Sequence, residues 1–273
     1  MTQVRKMGAE LNLDFYRKAY FYFDKPVPYK LSDTAQIEIM PISVSDSEIF
    51  LSSCDVIQID KNALNSVDII QMSYLDFLIR VVFPSDESRL MLDKFCSILK
   101  LCLNIEDWKI KTNKKRKASI VAADDSFEIT GKQFDDIRRI ILYQNIPQYD
   151  DSYIDPDLKK AMDDVDRLKS QNIEIPNIER RMAIITAHCG ISKKEQMDMT
   201  YRSHTVLFQE VYGEVEFETT RPIMLYAGKG NEIDHWIYKK KKDKFDGYIT
   251  SVESYNKSMG GDGKVKQANS NTI

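Results

Sequence analysis

Ten glycines and eight prolines are all the backbone punctuation that this 273-residue chain contains, against roughly 7% and 5% in average proteins. These two residues end helices and shape tight turns, so a chain this poor in them invests in helices. Hydrophobic residues reach 42%, enough to bury a real core, which argues against global disorder. Acid and base nearly cancel to a net charge of −3, so no long-range field draws the chain toward nucleic acid or an anionic membrane. The expectation is a mainly α fold with a small β component, that is, α+β.

Periodicity along the chain places the elements. Residues 1–19 are largely polar and read as a loose arm or a short helix. Tyr20 to Phe23 begins an aromatic run broken by Pro26 and Pro28. Gln36 to Met40 alternates apolar and polar as a half-buried strand does. A β-hairpin follows, with its proline-bearing strand at an edge. Asp68 to Phe83 reads as one core helix stopped by Pro84, and Ser85 to Leu103 as a second. Ile105 to Thr112 reads as a strand or loop, with Ser119–Ala123 and Phe127–Ile129 each able to pair with it. Thr130 and Gln133 have the spacing of a capping box before an apolar-periodic run, which predicts a helix over 131–145.

Further on, Pro156 fits the first turn of a charged helix, Asp157 to Gln171, with a thin apolar stripe of Leu158, Met162, Val165 and Leu168. Ile178 to Cys189 is a shorter apolar helix ending at Gly190. Ser192 and Glu195 form a second capping box. Thr200 to about Phe217 is the next helix, with Tyr201, His204, Phe208, Val211 and Val215 roughly on one face. His235–Tyr238 reads as a short strand and Tyr248–Met259 as a last helix. The acidic, tyrosine-rich stretch Gln148–Pro156 marks a boundary. The expected division is an N-terminal α+β domain over 1–147, a linker over 148–156, a C-terminal helical domain over 157–259 and a disordered tail over 260–273.

Catalytic chemistry finds no foothold in the spacing. Nucleophile elbow, P-loop and dinucleotide fingerprint are all missing, and Gly228-Lys229-Gly230 reads as a plain turn. His188, His204 and His235 do not have metal-ligand spacing; His188 reads as a core or boundary residue, and His204 as a possible neighbour of Tyr201 and Phe208. Adjacent carboxylates such as Asp135-Asp136 point about 100° apart on a helix, so they read as solvated faces and helix-dipole partners. Cys54, Cys96, Cys102 and Cys189 read as reduced structural thiols. No metal and no cofactor is expected, and no enzyme activity. Two basic clusters, Lys109–Lys117 and Lys239–Lys244 beside Trp236 and Tyr238, leave nucleic-acid binding as a secondary reading. Met1 to Glu10 is mostly polar with no apolar run after it, and no stretch reaches the ~18 apolar residues of a membrane span. A soluble intracellular protein is expected.

The residues Phe134-Asp135-Asp136-Ile137-Arg138 with Gln144-Asn145, Met197-Asp198-Met199-Thr200-Tyr201, Ile233-Asp234-His235-Trp236 and Lys244-Phe245-Asp246 resemble a family of tail assembly proteins from long-tailed phages of Gram-positive hosts. The resemblance covers Phe134 to Tyr255. It implies a tail assembly chaperone that works in the host cytoplasm and binds the long helical tape-measure protein during tail morphogenesis. Self-association and contacts with other tail proteins go with such a role. A helical protein covering an amphipathic partner does so by helix-in-groove contact, and the groove candidates are Tyr201, Phe208, Tyr212 and Trp236. The alternative within the same setting is a structural baseplate or neck component that stays in the virion.

Overall fold

The structure is a computed structural model that describes residues 11–238 other than 65, 85–87, 115–116, 153, 172–173 and 234. It is mainly helical with two small antiparallel sheets, an α+β fold with an N-terminal hairpin and a helical C-terminal region. The chain forms two compact units. One holds the residues up to Tyr153 together with Pro176–Val215, and the other holds Ile154–Ile175 and the residues from Glu216 onward.

In the larger unit, helix α1 (Leu13–Ala19) starts where the Asn12 side chain accepts the Phe15 N–H at 3.0 Å. A 3-10 turn over Phe21–Phe23 ends at Asp24, whose φ of 54° is left-handed. Strands β1 (Val27–Lys30) and β2 (Gln36–Ile39) then pair antiparallel, Val27 opposite Ile39 and Lys30 opposite Gln36. Alternation buries Val27, Tyr29, Ile37 and Ile39. Both strands of a two-stranded sheet are edges, which is where Pro28 can lack its N–H without cost.

Helix α2 (Ser47–Ser53) leads through 3-10 turns at Cys54–Ile57 and Lys61–Leu64 to α3 (Val67–Gln71), α4 (Tyr74–Phe77) and a π-helical stretch, Leu78–Val82. The single helix expected over 68–83 is therefore broken. Met72 and Ser73 are extended, with ψ of 156° and 155°. Two groups from elsewhere hold the break. Lys61 Nζ donates to the Ile70 and Met72 carbonyls at 3.2 and 2.6 Å, and Asp135 Oδ1 accepts the Tyr74 N–H at 2.7 Å.

The core lies between α5 (Ser88–Leu103) and α6 (Gly131–Asn145). Phe95, Ile98, Leu99 and Cys102 of α5 and Phe134, Ile137, Ile140 and Ile141 of α6 are all fully buried. The Phe95 and Phe134 rings meet edge-on with centroids 5.6 Å apart. The Thr130–Gln133 capping box forms, and α6 covers the predicted residues. Strands β3 (Trp108–Thr112), β4 (Ala118–Ala122) and β5 (Glu128–Thr130) form a sheet in that order. β5 pairs with β4, not with β3. Uniformly buried β4 takes the middle, as its apolar run requires, while lysine-bearing β3 takes an exposed edge.

Residues 176–215 return to this unit, so the expected domain over 157–259 is divided. Helix α8 (Ile178–Cys189) stops at Gly190 with φ 70°, the Ser192–Glu195 capping box opens α9 (Lys193–Asp198), and α10 (Tyr201–Tyr226) follows. The Val44 N–H bonds to the Met199 carbonyl at 2.9 Å, and the Tyr201 N–H bonds to the Ile42 carbonyl at 2.7 Å. These backbone bonds, with Arg202 donating to the Tyr143 carbonyl, tie the start of α10 to the N-terminal half. No periodicity within residues 157–259 encodes them.

In the smaller unit, α7 (Pro156–Ser170) begins with Asp155 Oδ1 accepting the Asp157 and Leu158 N–H groups. Here α10 runs past the expected stop at Phe217 to Tyr226, with Pro222 inside it. Gly228 (φ 71°) and a 3-10 turn over Gly230–Glu232 make the turn read from the glycines. His235–Tyr238 is a bend and not the expected strand. His235 Nδ1 accepts the Ile237 N–H at 3.2 Å, and this local bond replaces a strand ladder. The expected helix at 248–259, the tail at 260–273 and the Lys239–Lys244 cluster lie outside the described residues.

Candidate partner-binding surface

Three of the four groove candidates share one side of α10. Tyr201, Phe208 and Tyr212 are 7 and 11 residues apart, within about 20° of a common line on a helix of 3.6 residues per turn. Tyr201 and Phe208 are half-buried and Tyr212 is 60% exposed. The Arg181 guanidinium of α8 sits 5.4 Å from the Phe208 ring centre. Trp236 belongs to the smaller unit, where it is half-buried beside His235, their rings stacked at 6.3 Å and 18°. His204 does not face that line. It is fully buried and bonded to Gln196.

Helix α7 is a charged helix with a thin apolar stripe, and none of the expected groove residues lies on it. It buries none of its side chains. Leu158, Met162 and Val165 are half-exposed and Leu168 is 62% exposed. Along the rest of this unit Ile175, Ile223, Leu225 and Tyr226 are exposed as well. No described residue of the unit is buried. The available signal was the charge on every other face of α7, which leaves its stripe too narrow to build a core alone.

Perturbed titratable groups gather around the break between α3 and α4. Burial pushes the Asp135 carboxyl above the ordinary carboxylate value, although the Tyr74 N–H opposes the shift. Burial likewise pushes the Lys61 ammonium down and the Tyr74 phenol up. The Arg138 guanidinium stacks 4.0 Å from the Tyr74 ring centre and donates through Nε to the Ile57 carbonyl. Tyr74 Oη bonds to the Val56 and Ile59 carbonyls. Each polar group here holds a backbone group of the fold. The pair Asp135-Asp136, expected on a solvated face, is half-buried instead, and Asp136 accepts the Tyr29 hydroxyl at 3.0 Å.

A surface cavity of about 480 Å³ opens where Leu31, Ser32 and Thr34 approach Lys111, Asp125 and Glu128, and none of the groups around the α3–α4 break lines it. Its acids face lysines. Lys109 pairs with Asp125 at 2.7 Å, and Lys111 reaches Glu128 at 3.9 Å. Two lysines of the basic cluster that carries the secondary nucleic-acid reading are thus paired with acids, and residues 115–116 within it are outside the described set. Among the described residues no group of three or more His, Cys, Asp or Glu could hold a metal. His188, expected in the core or at its boundary, is exposed on the last turn of α8. All four cysteines are free; Cys54 and Cys102 are buried, and Cys189 is exposed. Among the described residues no helix is long and apolar enough to cross a membrane.

Comparison of the chain with protein-family models, with curated proteins and with solved structures returns no match.

Proposed function

We propose that the chain is a binding protein and not an enzyme, and that it covers an amphipathic helical segment of another protein with its smaller unit. One observation carries this reading. Helix α7 is amphipathic, yet no described residue of its unit is buried. Burying apolar surface is worth roughly 25 cal/mol per Å², so a stripe left half in water gains most when a second apolar surface covers it. Helix-in-groove contact is the mode that suits anchors spaced like Leu158, Met162, Val165 and Leu168. The non-catalytic part of the reading is supported by the α3–α4 region, where the perturbed groups are committed to backbone partners.

The tail assembly chaperone is the member of this class that the chain resembles, and its partner is the phage tape-measure protein. That choice of partner rests on the resemblance of residues 134–255. A capture experiment with the tagged full-length chain in phage-infected cells tests it. Recovery of the tape-measure protein supports the role. Its absence from the captured material, with the chain folded and abundant, overturns it.

A further inference from the structure

The junction of α8, α9 and α10 encloses a histidine with no place for a second proton. His204 is fully buried, and its Nε2 faces Gln196 Oε1 at 3.2 Å. Gln196 is fully buried too. Its amide nitrogen donates to the Met182 carbonyl, Thr186 Oγ1 and the Ile191 carbonyl at 3.1, 2.9 and 3.0 Å. The amide is therefore fixed with its oxygen toward the ring, and Nε2 carries the imidazole proton. That leaves Nδ1 as a lone-pair atom, buried and without a hydrogen-bond partner.

The surroundings oppose a charge on this ring. Helix α8 presents Arg181, and α9 presents the neutral Gln196. Burial first, and the Arg181 cation second, hold His204 below the ordinary histidine value. A proton on Nδ1 would sit in the interior with no acceptor, beside a second cation. We propose that this junction is an acid-opened latch: protonation of His204 releases α10 from α8 and α9. The unfolded value lies near 6.5 and the folded value lies below it. Stability held by the neutral ring is complete above the unfolded value, falls as pH drops through that window, and is gone below the folded value.

Hydrogen exchange of residues 182–211 in the full chain, corrected for the intrinsic pH dependence of exchange, tests the latch between pH 7.5 and 5. Wild type is expected to lose protection about tenfold for each pKa unit by which His204 is depressed. His204→Gln is expected to lose none beyond the rest of the unit, and Arg181→Gln to lose less than wild type. Equal acid sensitivity in wild type and His204→Gln overturns the proposal. If His204→Gln does not fold, the ring is followed by NMR in the wild type. Protonation that coincides with the loss of protection supports the latch, and protonation near 6.5 with protection unchanged overturns it.

Discussion

Ser203 Oγ lies 2.9 and 2.7 Å from the two carboxylate oxygens of Asp24, across 179 residues of chain. Asp24 also accepts the Thr200 hydroxyl at 2.6 Å, and Thr200 Oγ1 in turn accepts the Ser203 N–H at 3.1 Å. One acid, held left-handed after the first 3-10 turn, thus anchors the N-terminus of α10. That is also the end of a helix where negative charge is favoured.

Asp24→Ala is expected to destabilise the chain by about 1 kcal/mol, because the contact is exposed and the hydrogen bonds are partly replaced by water. Asp24→Asn should cost less. Asparagine tolerates the left-handed region and keeps one acceptor. Urea unfolding of the three proteins checks the order wild type, Asn, Ala. An alanine variant as stable as wild type would remove the anchor from the account.

Gly131 opens α6, and a Cβ added there would fall on Ser73 Oγ and 2.8 Å from Ser73 Cβ. Ser73 cannot turn away freely, because its hydroxyl accepts the Asp76 N–H and donates to Asp76 Oδ2 at 2.7 Å. Gly131→Ala is expected to cost about 1–3 kcal/mol by overpacking, more than the gain of up to ~1 kcal/mol in helix propensity. Adding Ser73→Gly should recover the steric part. Thermal unfolding of the single and double variants measures this coupling, and additive effects would show that the two sites do not meet.

Asp135 separates two roles that one carboxylate combines. Asp135→Asn keeps an acceptor for the Tyr74 N–H and removes a charge that burial opposes, so its stability at pH 7 should be close to wild type. Asp135→Ala leaves that N–H without its partner and should cost about 1–3 kcal/mol. The pH dependence has a definite sign. The folded value of Asp135 is raised, so the folded chain binds the proton first. Wild type should gain stability relative to Asp135→Asn as pH falls through the raised value, with the gain complete below the unfolded value near ~3.9. Denaturant titrations of both proteins from pH 7 to 3.5 decide it.

What could be read from the sequence was what is decided locally. Thr130 with Gln133, Ser192 with Glu195, and Gly190 fix helix ends through atoms three or four residues away, and all three ends stand where they were expected. The break at Met72 and Ser73 was not legible, because the atoms that hold it belong to Lys61 and Asp135. Nor was the return of residues 176–215, which depends on Asp24, Ile42 and Val44 meeting residues more than 150 positions away. For the candidate surface, helical spacing puts Tyr201, His204, Phe208, Val211 and Val215 roughly on one face, and Tyr201 and Phe208 are half-buried there. It could not show that His204 turns inward, since that depends on Gln196 being buried beside it.

The binding reading makes its sharpest demand on α7. Met162 and Val165 lie mid-helix and half-exposed, so a charge at either position removes apolar contact without opening a core. Met162→Glu and Val165→Glu should leave the unfolding transition of the larger unit within about 0.5 kcal/mol of wild type, as surface substitutions do. Each should weaken capture of the helical partner at least about tenfold, since a buried anchor contributes on the order of 1.4 kcal/mol or more. Ser170→Glu, on the exposed end of the same helix, serves as the control for added charge. Loss of capture in the first two and not in the control locates the contact on the stripe. Undiminished capture in all three would place the contact elsewhere, with the Tyr201, Phe208 and Tyr212 side of α10 as the surface to substitute next.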